Sequence, residues 1–376
     1  MTNNKNNENL TNSIRLAKRI NNTKRSYLLV NTHQAKHTPI SPTVAFSMMQ
    51  RLGEKVSEKC SESCLVIGFA ETATAIGAVV ASCISNDCMY IQTTRETYSP
   101  ETEQILFYEE HSHAKEQKLL VRFFSESLKI IDTIIFVDDE ITTGKTLLNI
   151  VTQLKNHYAE FNKKRIIVAS IINRMSSNSI NLLKKERVEF IYLNKLPYKE
   201  YLDFSSSITV TEPVSLYKPF TNRTKCNSIK INMQDPRKGL YIHEYLDSCE
   251  TIYQKIKSYI TPTSVRILIL GTEECMLPAI LVGKRIQEAF NDKIVFCHAT
   301  TRSPIGINKN TSYPINSGYT LHSFYDDERT TYLYNLKAYD LALIITDSQY
   351  NAIKAKDDFC QILHQNNCEN ILFVTR

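Results

Sequence analysis

Residues 130–137 (IIDTIIFV) form a run of β-branched and aromatic residues too short for a helix of its own. Such a run reads as a buried strand. It runs into two adjacent carboxylates, Asp138 and Asp139, and then into the turn ITTGKT, residues 141–146. A strand that delivers acids to its end and a hydroxyl- and Gly-containing turn that opens a helix fit an α/β sheet. Ligands of such sheets gather where parallel strands end.

The rest of the chain agrees with that constraint. Strands are expected at 27–30, 65–67, 89–92, 165–172 and 189–193, with helices over 44–59, 72–83, 145–158 and 179–185. Strands and helices alternating at this spacing call for a parallel sheet with helices on both faces. Residues 94–117 are polar and weakly patterned, and are expected to form a mobile loop. Residues 197–237 hold Pro197, Pro213, Pro219 and Pro236 among many Ser, Thr and Asn residues, and read as a linker. A second α/β unit follows, with helices over 241–259 and 278–290 and strands at 265–270, 294–297 and 341–345. The expected division is a basic, Asn-rich flexible tail over 1–25, a first domain over 26–196, the linker, and a second domain over 238–376.

The two halves echo each other weakly. VIGFAE (66–71), QTTR (92–95) and FVDDE (136–140) are matched by ILGTEE (269–274), ATTR (299–302) and IITDS (344–348). Gly68 and Arg95 are 27 residues apart, and Gly271 and Arg302 are 31 apart. Duplication and the chance likeness of two α/β units both account for this, and a duplicated second copy would have lost the Thr-Gly turn.

Composition removes other classes. The 376 residues are 42% hydrophobic and 22% charged, which suits globular domains and excludes collagen-like or wholly disordered chains. No apolar run reaches 18 residues, and the Asn-rich start lacks a signal-peptide core, so a soluble cytoplasmic protein is expected. The net charge of +6 is concentrated in Lys5, Arg15, Lys18, Arg19, Lys24 and Arg25, against Glu8, so a general nucleic-acid face is not indicated. The basic tail alone offers a place for RNA. Ten cysteines occur without a CxxC, and a metal site at Cys60 and Cys64 is not expected.

The turn 142–146 can cradle phosphate through its amides and the hydroxyls of Thr142, Thr143 and Thr146, while Asp138 and Asp139 can accept hydrogen bonds from sugar hydroxyls. GKT also ends a P-loop, but that motif needs Gly where Asp139 stands. Residues 134–146 resemble instead the 5-phosphoribosyl 1-diphosphate (PRPP) signature of type I phosphoribosyltransferases. The segments GFAETATAIG (68–77), TTR (93–95), EEHSHA (109–114), LGTEE (270–274), TTRSP (300–304) and YLYN (332–335) extend the likeness. Together they resemble bacterial proteins in which such a domain precedes a TRSP domain, a family of tellurium-resistance and stress gene clusters.

The resemblance implies a type I phosphoribosyltransferase-like parallel sheet plus a second α/β domain. It also implies a Mg²⁺-dependent phosphoribosyltransferase that makes a nucleoside-like metabolite from PRPP, or runs in reverse. Asp138 and Asp139 would hold the ribose hydroxyls, and Thr142, Thr143, Gly144, Lys145 and Thr146 the 5′-phosphate. Gly68, Phe69, Ala70, Glu71 and Thr72 would hold pyrophosphate, with Arg95 as a clamp and Mg²⁺ carried by pyrophosphate and Asp138 or Asp139. His111 or His113, with Glu109 and Glu110 in the closing loop, would serve acid–base chemistry, and His33 and His37 would cover the acceptor. Thr142 stands where purine enzymes of this fold carry an acid, which argues against hypoxanthine-type salvage. In the second domain Glu273, Glu274, Thr300, Thr301, Arg302 and Ser303 would form either a ligand site or a structural ion pair. A homodimer is implied by resemblance alone. The competing reading is a PRPP- or nucleotide-sensing regulator that binds RNA without turnover.

Overall fold

The computed structural model describes residues 13–22, 25–60, 63–108, 116–215 and 226–376. In chain order its strands are β1 Ile14–Lys18, β2 Tyr27–Asn31, β3 Cys64–Gly68, β4 Met89–Gln92, β5 Gln104–Tyr108, β6 Glu116–Leu120, β7 Thr133–Ile141, β8 Arg165–Asn173, β9 Val188–Lys195, β10 Asn227–Lys230, β11 Leu240–Tyr241, β12 Arg266–Gly271, β13 Ile294–Ala299, β14 Gly318–His322, β15 Thr330–Tyr334, β16 Leu341–Ile345 and β17 Asn370–Thr375. The helices are α1 Pro42–Ser57, α2 Ala73–Ile84, α3 Val121–Ser127, α4 Lys145–His157, α5 Ser177–Lys185, α6 Leu202–Ser207, α7 Ile242–Ile256, α8 Leu277–Ala289 and α9 Ile353–Gln365. None of the described helices is long and apolar enough to cross a membrane.

The described residues form two compact units. One comprises those within 47–200 and 234–246, the other those within 13–46, 201–233 and 247–376.

The first unit is built on a six-stranded sheet in the order β11-β4-β3-β7-β8-β9. Its strands are parallel except for β11, which runs antiparallel to β4. Ile134, Ile135, Phe136 and Val137 are all buried, as a strand covered on both faces must be. Val137 lies opposite Gly68, the last residue of β3, yet β7 continues to Ile141 paired with β8 alone. Asp138 and Asp139 therefore belong to the strand itself and project past the end of its neighbour. Helix α2 packs close to β3 because two glycines meet there: a methyl on Gly77 would lie 2.8 Å from the Gly68 Cα.

The second unit holds a five-stranded, all-parallel sheet in the order β10-β17-β16-β12-β13. Its core packs Leu268, Leu270, Phe359, Ile362 and Phe373 on one face and Ile267, Ile269, Ile286 and Leu343 on the other. Two smaller ribbons, β1 with β2 and β14 with β15, are antiparallel. Cys226 is disulfide-bonded to Cys360, and the other cysteines form no disulfide.

Three expectations are corrected. Residues 14–18 are not tail but strand β1, and Lys18 Nζ donates to the Ile208 carbonyl at 3.1 Å. The stretch 197–237 is not a plain linker, because it supplies α6, two single bridges to Ile307 and Tyr319, and edge strand β10. Its Ser- and Pro-rich composition suits a sheet edge, where few side chains need burial. The stretch 94–117 is not an unstructured loop, since β5 pairs with β6.

The Gly68–Gly77 contact yields a stability test. Gly77→Ala gains helix propensity but drives its methyl into backbone, so stability should drop by about 1–3 kcal/mol in urea unfolding. An unchanged or raised midpoint would refute the close approach.

Candidate active site

At the carboxyl edge of the first sheet, three elements converge on the end of β3. The first is the overrun of β7. The Asp138 carboxylate accepts a hydrogen bond from the Asp139 amide at 2.8 Å. Both are half-buried. Desolvation pushes the Asp139 carboxyl above the usual range, with Glu140 adding repulsion against the Asp138 hydrogen bond that opposes it. Glu140 itself is not available, because Arg174, 0% exposed, donates to it at 2.7 Å and to the Lys199 carbonyl. The acidic run thus holds one acid spent on Arg174 and two half-buried acids past the end of β3.

The second element is the start of α4. Gly144 adopts a left-handed conformation at φ 75°, and a methyl there would meet Met175 Sδ at 2.7 Å. Gly144 has no side chain to cap the helix, and the Thr143 hydroxyl accepts the Lys145 amide at 3.3 Å. Thr142, Thr143 and Thr146 are partly exposed around this turn. Such a helix start presents donors to an anion.

The third element is the turn 68–72, whose Ala70–Glu71 peptide is cis. A closed ring of hydrogen bonds holds Ala70. Its amide donates to Thr93 Oγ1 at 2.8 Å, that hydroxyl donates to Gln117 Oε1 at 2.6 Å, and Gln117 Nε2 returns to the Ala70 carbonyl at 3.0 Å. Phe69 stacks on Phe136 at 5.8 Å, which anchors the turn from below. Glu71 is buried, and Arg95 is half-buried just beyond β4. Gln117 carried no sequence signal, because its role is set by partners 24 and 47 residues away.

The residues of the expected first site thus sit in one unit along one sheet edge, apart from Glu109, Glu110, His111 and His113, which lie outside the described residues. His33 and His37 belong to the second unit, and His37 is buried there.

In the second unit the expected residues meet and pair with one another. Arg302 Nε lies 2.5 Å from Glu273 Oε2 and its Nη2 lies 3.6 Å from Glu274 Oε1. Arg329 reaches the same Glu273 oxygen at 3.2 Å, and Ser323 donates to its other oxygen. Thr300 Oγ1 accepts the Glu273 amide at 2.9 Å, Ser303 N donates to Thr301 Oγ1 at 3.2 Å, and buried Lys36 donates to the carbonyls of Glu273 and Thr300 at 2.7 and 2.8 Å. Lys36 was missed in the sequence, since nothing local marks a lysine whose partners lie 237 and 264 residues on. No group of three or more His, Cys, Asp or Glu residues able to hold a metal occurs among the described residues.

Comparison with known proteins gives two consecutive family matches, the first of which also takes in residues 14–46 of the second unit. Residues 14–192 match a phosphoribosyl transferase family, and residues 238–363 match the TRSP domain found C-terminal to it. No curated protein matches the chain. Among solved structures, APRTase from Giardia lamblia complexed with 9-deazaadenine is similar at 12% identity over 50% of this chain and 97% of that one, with a TM-score of 0.37. Adenine phosphoribosyltransferase from Thermoanaerobacter pseudethanolicus is similar at 12% identity over 50% of this chain and 99% of that one, with a TM-score of 0.36. The fold assignment rests on the strand order of this chain and not on those scores.

Next to the second cluster, His298 is fully enclosed and donates from Nε2 to the Tyr334 carbonyl at 2.8 Å. Burial, with Lys36 adding to it, lowers its pKa to about 4. The unfolded chain takes up this proton near the ordinary value of 6.5, the folded chain only near 4. Stability is therefore full above pH 6.5 and is lost as pH falls from 6.5 to 4, by about 3 kcal/mol. His298→Gln, which keeps a donor, should flatten that acid limb in denaturant melts at a series of pH values. An acid limb identical to that of the wild type would rule out this assignment.

Proposed function

The chain belongs to the phosphoribosyl transferase family that carries a C-terminal TRSP domain, and from that premise we propose that its first unit transfers a 5-phosphoribosyl group from PRPP. The observation that carries the reading is the overrun of β7 past β3. It leaves Asp138 and Asp139 past the end of β3, just ahead of a left-handed glycine turn at a helix start and at the sheet edge that also carries the pinned turn 68–72. A phosphorylated sugar with a second phosphate group on C1 matches that sequence of donors and acceptors.

In this reading Asp138 and Asp139 accept hydrogen bonds from the ribose 2′- and 3′-hydroxyls. Thr142, Thr143, Gly144, Lys145 and Thr146 surround the 5′-phosphate with amides, hydroxyls and the α4 dipole. Gly68, Phe69, Ala70, Glu71 and Thr72 receive the pyrophosphate, and Arg95 offers it a guanidinium. With the sugar held at both ends, the C1–oxygen bond can break dissociatively, because the departing charge meets preset donors. His111 and His113 are assigned to proton transfer during closure over the substrate, which keeps water from the ribosyl cation.

Mg²⁺ fits the donor set. Asp138 and Asp139 are hard oxygen ligands, and the raised Asp139 carboxyl gains from a neighbouring cation. The described residues offer too few ligands for a complete cage, which suits an ion that takes its other ligands from pyrophosphate and water. When bound, Mg²⁺ would neutralise charge on the leaving pyrophosphate. Thr142 presents a neutral hydroxyl toward the acceptor side, so the acceptor is assigned outside the hypoxanthine-type purines, in the synthesis of a nucleoside-like metabolite linked to stress or tellurium resistance.

The test is calorimetric titration of PRPP with Mg²⁺ into wild-type protein and into the Asp138→Asn, Asp139→Asn double variant. The wild type should bind with a Kd on the order of micromolar, and the variant should bind about 100-fold more weakly or not at all. Pyrophosphate release in an acceptor screen then measures turnover. No binding by the wild type sinks the proposal, and binding without release for any acceptor turns it toward a PRPP sensor.

A further inference from the structure

The echo between the halves of the sequence has a counterpart in backbone pairing. In the first unit the strands lie in the order β4-β3-β7-β8, and in the second in the order β13-β12-β16-β17, all parallel. The connections share their main elements, and the first unit adds the short helix α3 between its hairpin and β7. A helix, α2 or α8, follows the first strand, and an antiparallel hairpin, β5–β6 or β14–β15, follows the second. A helix, α4 or α9, follows the third.

The hydrogen bonds at the ends of the strands coincide residue by residue. Thr93 N donates to the Gly68 carbonyl at 2.9 Å, and Thr300 N to the Gly271 carbonyl at 3.1 Å. Ala70 N donates to Thr93 Oγ1 at 2.8 Å, and Glu273 N to Thr300 Oγ1 at 2.9 Å. Thr94 and Lys118 exchange both backbone bonds, as do Thr301 and Tyr332. Val137 lies opposite Gly68 and Ile345 opposite Gly271, and in each copy the next helix starts eight residues later, at Lys145 and Ile353. The copies depart at the fifth strand, where β9 follows β8 in the chain but β10 precedes β12.

This register equates Ala70 with Glu273, Arg95 with Arg302, Asp139 with Asp347 and Gly144 with Ala352. We infer that the second unit is a second copy of the phosphoribosyltransferase frame whose oxyanion subsite is filled by its own Glu273 carboxylate. Where the first copy has a methyl, the second places a fully buried carboxylate against Arg302, Arg329 and the Ser323 hydroxyl. These are the donors that a phosphate or diphosphate group would need.

The other half of the subsite is closed as well. Ala352 is not left-handed, the Ser348 hydroxyl is spent on the Phe324 carbonyl at 2.6 Å, and the Tyr325 hydroxyl donates to Asp347 at 2.5 Å. The unit therefore provides no second PRPP site, and its buried charges serve as an internal substitute for a bound ligand.

Calling the matching turn of the first unit a pyrophosphate site rests on the proposed function; the duplication and the filling by Glu273 do not. The test keeps the two apart by counting sites. Pyrophosphate binding to the full-length chain is measured by calorimetry for the wild type, for Glu273→Ala, which restores the side chain of the first copy, and for Glu273→Gln. Each chain should gain one additional pyrophosphate on Glu273→Ala, whether the wild type binds one or none, and none binding in the wild type would fault only the first-unit reading. Glu273→Ala should also be destabilised, with its melting temperature raised by millimolar pyrophosphate more than that of the wild type. If the alanine variant does not fold even with pyrophosphate present, Glu273→Ser, which also empties the subsite, must gain the site, whereas Glu273→Gln, whose side chain still fills it, should keep the wild-type count. A wild-type site count in whichever of the alanine and serine variants folds overturns the inference.

Discussion

Where a chain leaves a strand to one side and later returns on the other, the loops at that point diverge and the sheet edge between them stays open. In the first unit this happens between β3 and β7, and everything assigned to the site depends on the two strands ending at different heights. Were β7 to stop at Val137, Asp138 and Asp139 would belong to a loop with no ladder to orient them. Pairing with β8 through Asn173 prevents that, and the buried Arg174, clamped to Glu140 and Lys199, holds the overrun in place. A buried charge of this kind must be paired to be tolerated, so the strand end is rigid by necessity.

The features legible in the sequence were those with a local cause. The apolar run 130–137, the Thr-Gly turn and the glycine that ends β3 each state their geometry within a few residues, and the alternation of strands and helices followed from periodicity. Features that depend on distant partners were not legible. β1 and β10 are edge strands with mixed side chains, and only the neighbours that lie beside them reveal them. Gln117 and Lys36 are ordinary polar residues whose importance comes entirely from carbonyls far along the chain. β17 was within reach, since ILFVT is a plain apolar run that was passed over.

The two units treat buried charge in opposite ways. The first leaves Asp138 and Asp139 half-buried at a strand end, while the second pairs Glu273 and Glu274 with Arg302 and Arg329 and turns Lys36 onto backbone carbonyls. Since a buried ion pair returns little net energy once its desolvation is subtracted, the second arrangement contributes specificity of position more than stability. It fixes three strand-end turns relative to one another without needing a ligand to do so.

Strand β1 and Lys36 lie near the start of the chain, yet they complete the unit that is finished last. Lys36 and Thr300 are separated by 264 residues. At about 5–20 residues per second, a ribosome needs tens of seconds to make that span. Residues 47–200 carry most of the first unit and can fold while synthesis continues, but the segment before them must wait with its apolar side chains uncovered. Val30 and Leu28 are part of that waiting surface. During translation the β1–β2 ribbon therefore cannot complete its packing until Ile305, Ile307, Tyr313, Ile315 and Tyr334 have been made.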